Sequence, residues 1–550
     1  MDQPSFSTTR LDHLGIVAGT CQQFRLAERI DALLPAPDRL VSHGEAAVAM
    51  VLNALGFVSR PLYLTPEFFR NKPIDLLIRP GLTPDQLNDD ALGRSLDAFY
   101  NYGVTELFAA LAQGVIDDLG WSDSPAHLDT TSFSFHGHYN SSAPELDPDD
   151  RHPIHITFGY SKDKRRDLRQ AVLSLICEHR AGLPVWLEAL DGNSSDSKSF
   201  SATLDAFTEQ LDGEPPLMVM DTAFYNKTNV AAHSHIRWVS RVPETLAAVK
   251  ALYQTDFEEG DWHDVDDHHS YREVEQNYGG VKQRWVLVYS TRRARRQQAA
   301  FEAKLEKAKT TADKALKALQ RRTFACEPDA REAALATASS WRFHHLTYEV
   351  DSREAYKTRG RPAAGQPPDS VSWRIRNGQV VPDAEAIAQA QQGRGLYVVT
   401  TNEMDKTRAP AAELLALYKS QTTTVERGFR FLKDPLFFAS AMYLKKPSRI
   451  MALLMVMTLS LLIYAAAEHQ LRERLEAEEE TVPDQQGKPT AKPTLRRVFQ
   501  VFEGIDLLEI RTGEVIQRQV LNLMEIQRKI LGLLSPEIKS LYINPGGCGR

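Results

Sequence analysis

The sequence predicts a multidomain α/β protein in which a mixed sheet flanked by helices is split by an insertion and carries helical units at both ends. Three features lead there. Capped helical patterns fill the first 118 residues, strand patterns and one helix alternate from about 125 to 242, and strand and helix patterns return near 393 after a long interruption. At 550 residues the chain exceeds what one core organises. The expected units are 1–118, helical; 119–242, the first part of the sheet domain; 243–392, the insertion; 393–470, the second part; and 471–550, a linker with a helical end.

The elements follow in order. Ser42 and Glu45 form a capping box before an apolar-periodic run that Gly56 follows, and Thr83 with Gln86 repeats the signal before QLNDDALGRSLDAFYNYG. HLDTTSFSF, QAVLSLICEH and LPVWLEALDG read as strands, the last two joined by a turn at Arg180 to Gly182. SKSFSATLDAFTEQL is a helix, PPLMVMDTAF holds a short strand buried on both faces, and RWVSRV is another strand. The interruption contains VKQRWVLVYS, RFHHLTYEV and a basic helix from about Arg293 to Arg322, whose seam is Phe301, Leu305, Ala308, Ala312 and Leu319. GLYVVTTN resumes the strands, and AELLALYKSQTTTVERGFRFLK reads as one helix stopped by Asp434 and Pro435. EAEEETVPDQQGKPTAKPT reads as a flexible connector and EVIQRQVLNLMEIQRKILGLL as a final helix.

Composition narrows the function classes. Hydrophobic residues at 42% and charged residues at 25% are globular values and exclude wholesale disorder. The net charge of -7 means that any surface for phosphates is a local cluster. Cys21, Cys177, Cys326 and Cys548 form no zinc spacing, which suits a reducing cytoplasm, and Met1 to Arg10 lacks a secretory signal. Ile450 to Ala467 is uncharged but just short of a bilayer span, and is expected to be a core helix rather than a membrane segment.

Three acids carry the chemistry. Asp129 lies in the first strand, Asp221 at the carboxyl end of a buried strand where open sheets gather ligands, and Glu426 on the late helix. A helical period puts Thr422, Glu426, Arg430 and Lys433 on one stripe and leaves Leu414, Val425, Phe429 and Leu432 for the core. Carboxylates on separate elements are what two-metal phosphoryl transfer requires, with hard oxygen ligands holding two Mg2+ ions about 4 Å apart around one phosphodiester. Lys433 is placed to hold a flanking phosphate.

HLDTTSFSF, VMDTAFYN and YKSQTTTVERGFRFLKDP, taken in order with GYSKDKRRDLRQ, YGGVKQRW and LYLKKPSRIMALLMVMTLSLLIY, resemble the DDE transposases of bacterial insertion sequences, in the IS-four superfamily. The resemblance covers roughly 120 to 470. That family's late helix carries a Tyr-Arg-Glu-Lys signature, and here Tyr418, Gln421, Glu426 and Lys433 stand at those positions, with Gln421 replacing Arg and one extra residue between Tyr418 and Glu426. The resemblance implies an RNase H-like core and cleavage at transposon ends by two Mg2+ ions, with Mn2+ as a substitute. It also implies strand transfer by the freed 3'-hydroxyl, and double-stranded DNA partners comprising terminal inverted repeats and target. A cytoplasmic homodimer would be the active form. The alternatives are an RNase H-like DNA endonuclease without strand transfer and an inactive, transposase-derived DNA-binding protein.

Further residues are candidates for DNA contact: Tyr418, Arg430 and Lys433 on the late helix, Arg165 and Arg166 in the basic turn after Tyr160, and Arg359 and Arg361 in an RGRP tetrad suited to a narrow minor groove. Lys162, Lys164 and Arg169 share that basic turn. The cluster from His263 to His269 reads as a polar loop rather than a metal site, and Trp285 as core rather than a base-stacking platform.

Overall fold

The computed structural model describes residues 4–58, 61–121, 124–136, 139, 152–211, 213–255, 261–357, 365–435, 444–513 and 515–545. The chain divides into two compact units, one comprising Met1–Ser240, Asn277–Lys282 and Thr401–Arg550, the other Arg241–Gln276 and Gln283–Thr400.

Six strands of the first unit come early in the chain: β1 (Ser5–Arg10), β2 (Ala126–Phe135), β3 (Arg169–Glu178), β4 (Pro184–Leu190), β5 (Met218–Met220) and β6 (Trp238–Arg241). β2 is central in the order β4-β3-β2-β5-β6. It pairs antiparallel with β3, which pairs antiparallel with β4, while β5 runs parallel on its other side and β6 parallel beyond that. The sheet is therefore mixed. Chemistry at the β3–β4 turn is local: Gly182 takes φ +70, a left-handed conformation that suits glycine, and the Glu178 carboxylate accepts from the Arg180 and Ala181 amides.

Alternation along the strands sets two faces. On one, Phe133, Phe135, Leu173 and Leu175 share a core with Val425, Phe429 and Leu432 of the Val425–Leu432 helix. The other is covered by the Asp196–Glu209 helix, whose Thr203 hydroxyl reaches Ser174 at 3.2 Å. The Pro447–Ala477 helix runs through this core against β4 and the N-terminal helices His43–Leu55, Asp89–Tyr102 and Val104–Leu119. By length and composition it could cross a membrane, but 89% of its apolar window is buried inside the protein, as a core helix requires. Arg449 near its start grips Asp97 with two bonds of 2.7 and 2.6 Å.

The second unit holds β7 (His263–Asp266) and most of β8 (His269–Tyr278), β9 (Val281–Ser290) and β12 (Leu396–Thr401), in the order β12-β9-β8-β7, and in it β10 (His344–Ala355) pairs antiparallel with β11 (Ser370–Pro382). The basic helix, Thr291–Gln320, lies on β11 and buries Ala312, Leu316 and Leu319. Its apolar seam thus has an intramolecular partner. Trp285 is 1% exposed and is core, as expected.

Five elements differ from expectation. The Thr83 box forms but closes only a 3-10 turn, Pro84–Leu87, and the following helix is capped instead by Asn88, whose side chain accepts from the Ala91 amide. The late helix is broken into Ala411–Lys419, a 3-10 turn Ser420–Thr422, and Val425–Leu432. Thr422, Thr423 and Thr424 turn their hydroxyls back onto the Lys419 and Ser420 carbonyls, and this competition interrupts the helix. Thr422 therefore does not share a helical stripe with Glu426. The connector is structured: β13 (Val482–Pro483) pairs with β14 (Pro489–Thr490). The expected final helix is half strand, with β15 (Asp506–Thr512) and β16 (Val515–Leu521) antiparallel and only Glu525–Leu533 helical. β1 adds to β15, so the amino terminus is also a strand, and alternating VIQRQVL satisfies both periods until that partner is known.

Candidate active site

Asp129 is placed by the β2–β5 register. Those strands pair in parallel with Ala126 opposite Met218 and Leu128 opposite Met220, and the next residue on each is an acid, Asp129 and Asp221. Pairing ends there, so the two carboxylates stand side by side where the strands part. Asp221 is fixed by an Asx turn, its Oδ1 accepting from the Ala223 amide at 2.7 Å, and by Ser240, whose hydroxyl donates to the Asp221 carbonyl. The Asp129 side chain is 15% exposed. Burial pushes its carboxyl up to about 6, and the neighbouring Asp221 charge pushes the same way, against the pull of Lys162.

Lys162 occupies the edge of β2 that β5 leaves open. Its Nζ lies 2.6 Å from the Thr130 carbonyl, 2.9 Å from the Thr130 hydroxyl and 3.4 Å from Asp129 Oδ1. Its backbone amide donates to Ser132. The turn that presents it includes Lys164 at φ +60, and next to it Asp163 accepts from Lys433 at 2.7 Å.

Glu426 lies on the helix that packs on β2, over the face that alternation assigns to Asp129, with Val425 and Phe429 inward and Glu426 exposed. Arg427 beside it pairs with the buried Glu468 of the long helix, which fixes the helix in rotation. Among the described residues no group of three or more His, Cys, Asp or Glu is arranged to hold a metal ion. The structure thus brings Asp129, Asp221 and Lys162 together and leaves Glu426 outside that cluster on the covering helix. The pair nonetheless fits a hard divalent cation in kind, being two carboxylates that supply hard oxygen donors from adjacent strands.

The remaining candidates are dispersed. Lys433 Nζ lies over the Phe133 ring at 5.9 Å, near Asp163. Arg430 is exposed and donates to the Thr422 carbonyl, and Tyr418 is half-buried on the separate Ala411–Lys419 helix. Arg165 pairs with Asp167 on the surface, and Arg166 lies 5.8 Å over Tyr160. Arg359 and Arg361 lie outside the described residues. Within the His263–His269 cluster, His269 and Asp266 pair locally at 2.8 Å. Lys162 was legible only as part of a basic turn, because nothing in its spacing marks which lysine reaches β2.

The family described as transposase DDE domain matches residues 122–463, and a domain of unknown function, DUF4277, matches residues 6–113. No curated protein matches the chain. Among solved structures, the cryo-EM structure of a piggyBac transposase synaptic complex with hairpin DNA is similar at 8% identity and a TM-score of 0.37, over 90% of this chain and 82% of that chain. The transposase match spans more than half of the sequence and contains all three acids. The chain therefore belongs to the DDE transposases, enzymes of DNA transposition.

Proposed function

We propose that the chain cuts DNA at the terminal inverted repeats of an insertion sequence of the IS-four type and joins the freed 3'-ends to target DNA. Asp129, Asp221 and Glu426 hold Mg2+, with Mn2+ as a substitute, on an RNase H-like core interrupted by the second unit. The observation that carries this reading is the paired placement of Asp129 and Asp221 at the parting of two parallel strands. Bound there, divalent cations would activate the attacking oxygen and stabilise the leaving one. The chain's own residues do the rest. Asp129 and Asp221 supply oxygens from rigid strands, and Glu426 completes the set by a small shift of its helix when DNA binds. Lys433 and Arg430 take flanking phosphates, with Tyr418, Arg165, Arg166, Arg359 and Arg361 contributing further DNA contact. A homodimer pairs the two ends, and the protein works on DNA in the cytoplasm with no membrane partner.

The test is cleavage of a labelled duplex bearing the element's ends, with joining to a second duplex scored in the same reaction. Asp129→Asn and Asp221→Asn should each lose at least about a thousand-fold in rate, equivalent to about 4 kcal/mol of barrier, while gel-shift affinity for the duplex holds. Full cleavage by either variant would end the assignment; cleavage without joining would leave an endonuclease.

A further inference from the structure

Lys162 stands where a metal ion would be expected. Three oxygens surround its ammonium group, the Thr130 carbonyl and hydroxyl at 2.6 and 2.9 Å and Asp129 Oδ1 at 3.4 Å. A carboxylate, a carbonyl and a hydroxyl form the kind of hard-oxygen set that holds a small cation. The lysine is not a loose surface chain. Its backbone amide is tied to Ser132, and the Ser161 hydroxyl accepts from the Arg165 amide across the turn. Asp163, the next residue, is held by Lys433, the residue proposed above to take a DNA phosphate.

From this placement we infer that Lys162 is a built-in competitor for the metal position beside Asp129, and that DNA binding relieves the competition and so couples metal loading to substrate. The inference rests on the reading of Asp129 as a ligand. Two lysines, 162 and 433, bracket one turn, each held by a carboxylate. A phosphate backbone approaching this turn offers both a stronger, multiply charged partner. When Lys433 turns to a phosphate it releases Asp163, and the turn is free to carry the Lys162 ammonium off Asp129 toward the same backbone. Linkage then requires the converse: if DNA raises metal affinity, metal raises DNA affinity by the same factor. A transposase built this way does not carry a charged metal site while off its DNA. Lys162 is a positioning residue in this account, since it acts through Asp129 and the phosphate.

The experiment measures Mn2+ binding to the full chain by calorimetry and by electron paramagnetic resonance, with and without a duplex bearing the element's ends. In the wild-type protein the duplex should raise Mn2+ affinity by at least about five-fold, the lower end of ordinary coupling between sites. Lys162→Met should bind Mn2+ at least about five-fold more tightly than wild type without DNA and gain little on adding it. Lys162→Arg should keep the wild-type coupling. A structural lesion would instead weaken metal binding, so tightening is a readout that misfolding cannot imitate. Should Lys162→Met not fold, Lys162→Gln, which retains a donor for the Thr130 carbonyl, takes its place with the same expectation. Equal or weaker Mn2+ binding by a folded variant overturns the inference. Asp129→Asn separates the underlying reading: unchanged Mn2+ binding there means that Asp129 is no ligand, whatever Lys162 does.

Discussion

His127 is two residues before Asp129 on β2 and fully buried, its Nε2 3.0 Å from Nδ1 of His179. Burial is the larger cause, and the neighbouring imidazole the smaller, that holds His127 down to about 3 from an ordinary 6.5. The sign follows directly. The folded chain keeps this ring neutral, whereas the unfolded chain protonates it near its ordinary value, so its contribution to stability is complete above about 6.5 and is lost as pH falls toward 3. Across that window one extra proton on the unfolded chain costs about 1.4 kcal/mol per pH unit. His127→Gln should flatten the fall of the thermal midpoint between pH 6.5 and 4.5, and parallel curves for the two proteins would contradict it. The same local logic made some of the candidate site legible in the sequence. Asp129 and Asp221 each end or interrupt a short apolar run, and a local pattern suffices to see that. Lys162 was different, because its three oxygen partners come from a strand thirty-odd residues earlier, and only the fold reveals which of five basic residues reaches them.

The Glu426 helix is oriented by one buried acid. Glu468, 3% exposed, accepts from Arg427 and from Arg472 at 2.8 Å, and also from the Leu495 amide at 2.8 Å. One carboxylate therefore joins the helix bearing Glu426, the long apolar helix and the Leu495–Val501 helix. Glu468→Ala leaves two guanidinium groups without their carboxylate in a partly buried setting and should cost about 3 kcal/mol. Denaturant unfolding checks this, and Glu468→Gln, which still accepts hydrogen bonds, should lose less. A loss below about 0.5 kcal/mol for the alanine variant would show that the surface substitution range applies and that the junction is not structural. This helix also marks a limit of the sequence. Its apolar spacing continues through Thr422 to Thr424 without a change of period, so the pattern predicts one helix, while the break depends on hydroxyls choosing carbonyls over water.

At the scale of the whole molecule, the ends of the chain are built together. β1 forms one sheet with β15 and β16, and Tyr542 is buried with its hydroxyl donating to the Asp12 carbonyl at 2.6 Å and accepting from the Ile16 amide at 3.2 Å. Sequence patterns could not show this, since a strand such as β16 is recognised by its partner and the partner sheet draws on the opposite terminus. Tyr542→Phe should lose about 1–3 kcal/mol by taking from the buried Asp12 carbonyl the hydroxyl that donates to it, the Ile16 amide keeping the His13 carbonyl, and should speed amide exchange in β1 and β15 together. Exchange confined to the carboxyl-terminal helices would contradict a joint unit. The central claim is that Asp129, Asp221 and Glu426 converge on divalent cations when DNA is present. The most direct measurement is Mn2+ anomalous scattering from crystals of the full chain bound to a duplex bearing the element's ends. The account predicts peaks bound by oxygens of Asp129 and Asp221 with Glu426 brought in to complete the set; an absent peak, or Glu426 remaining outside the cluster with DNA in place, would contradict it.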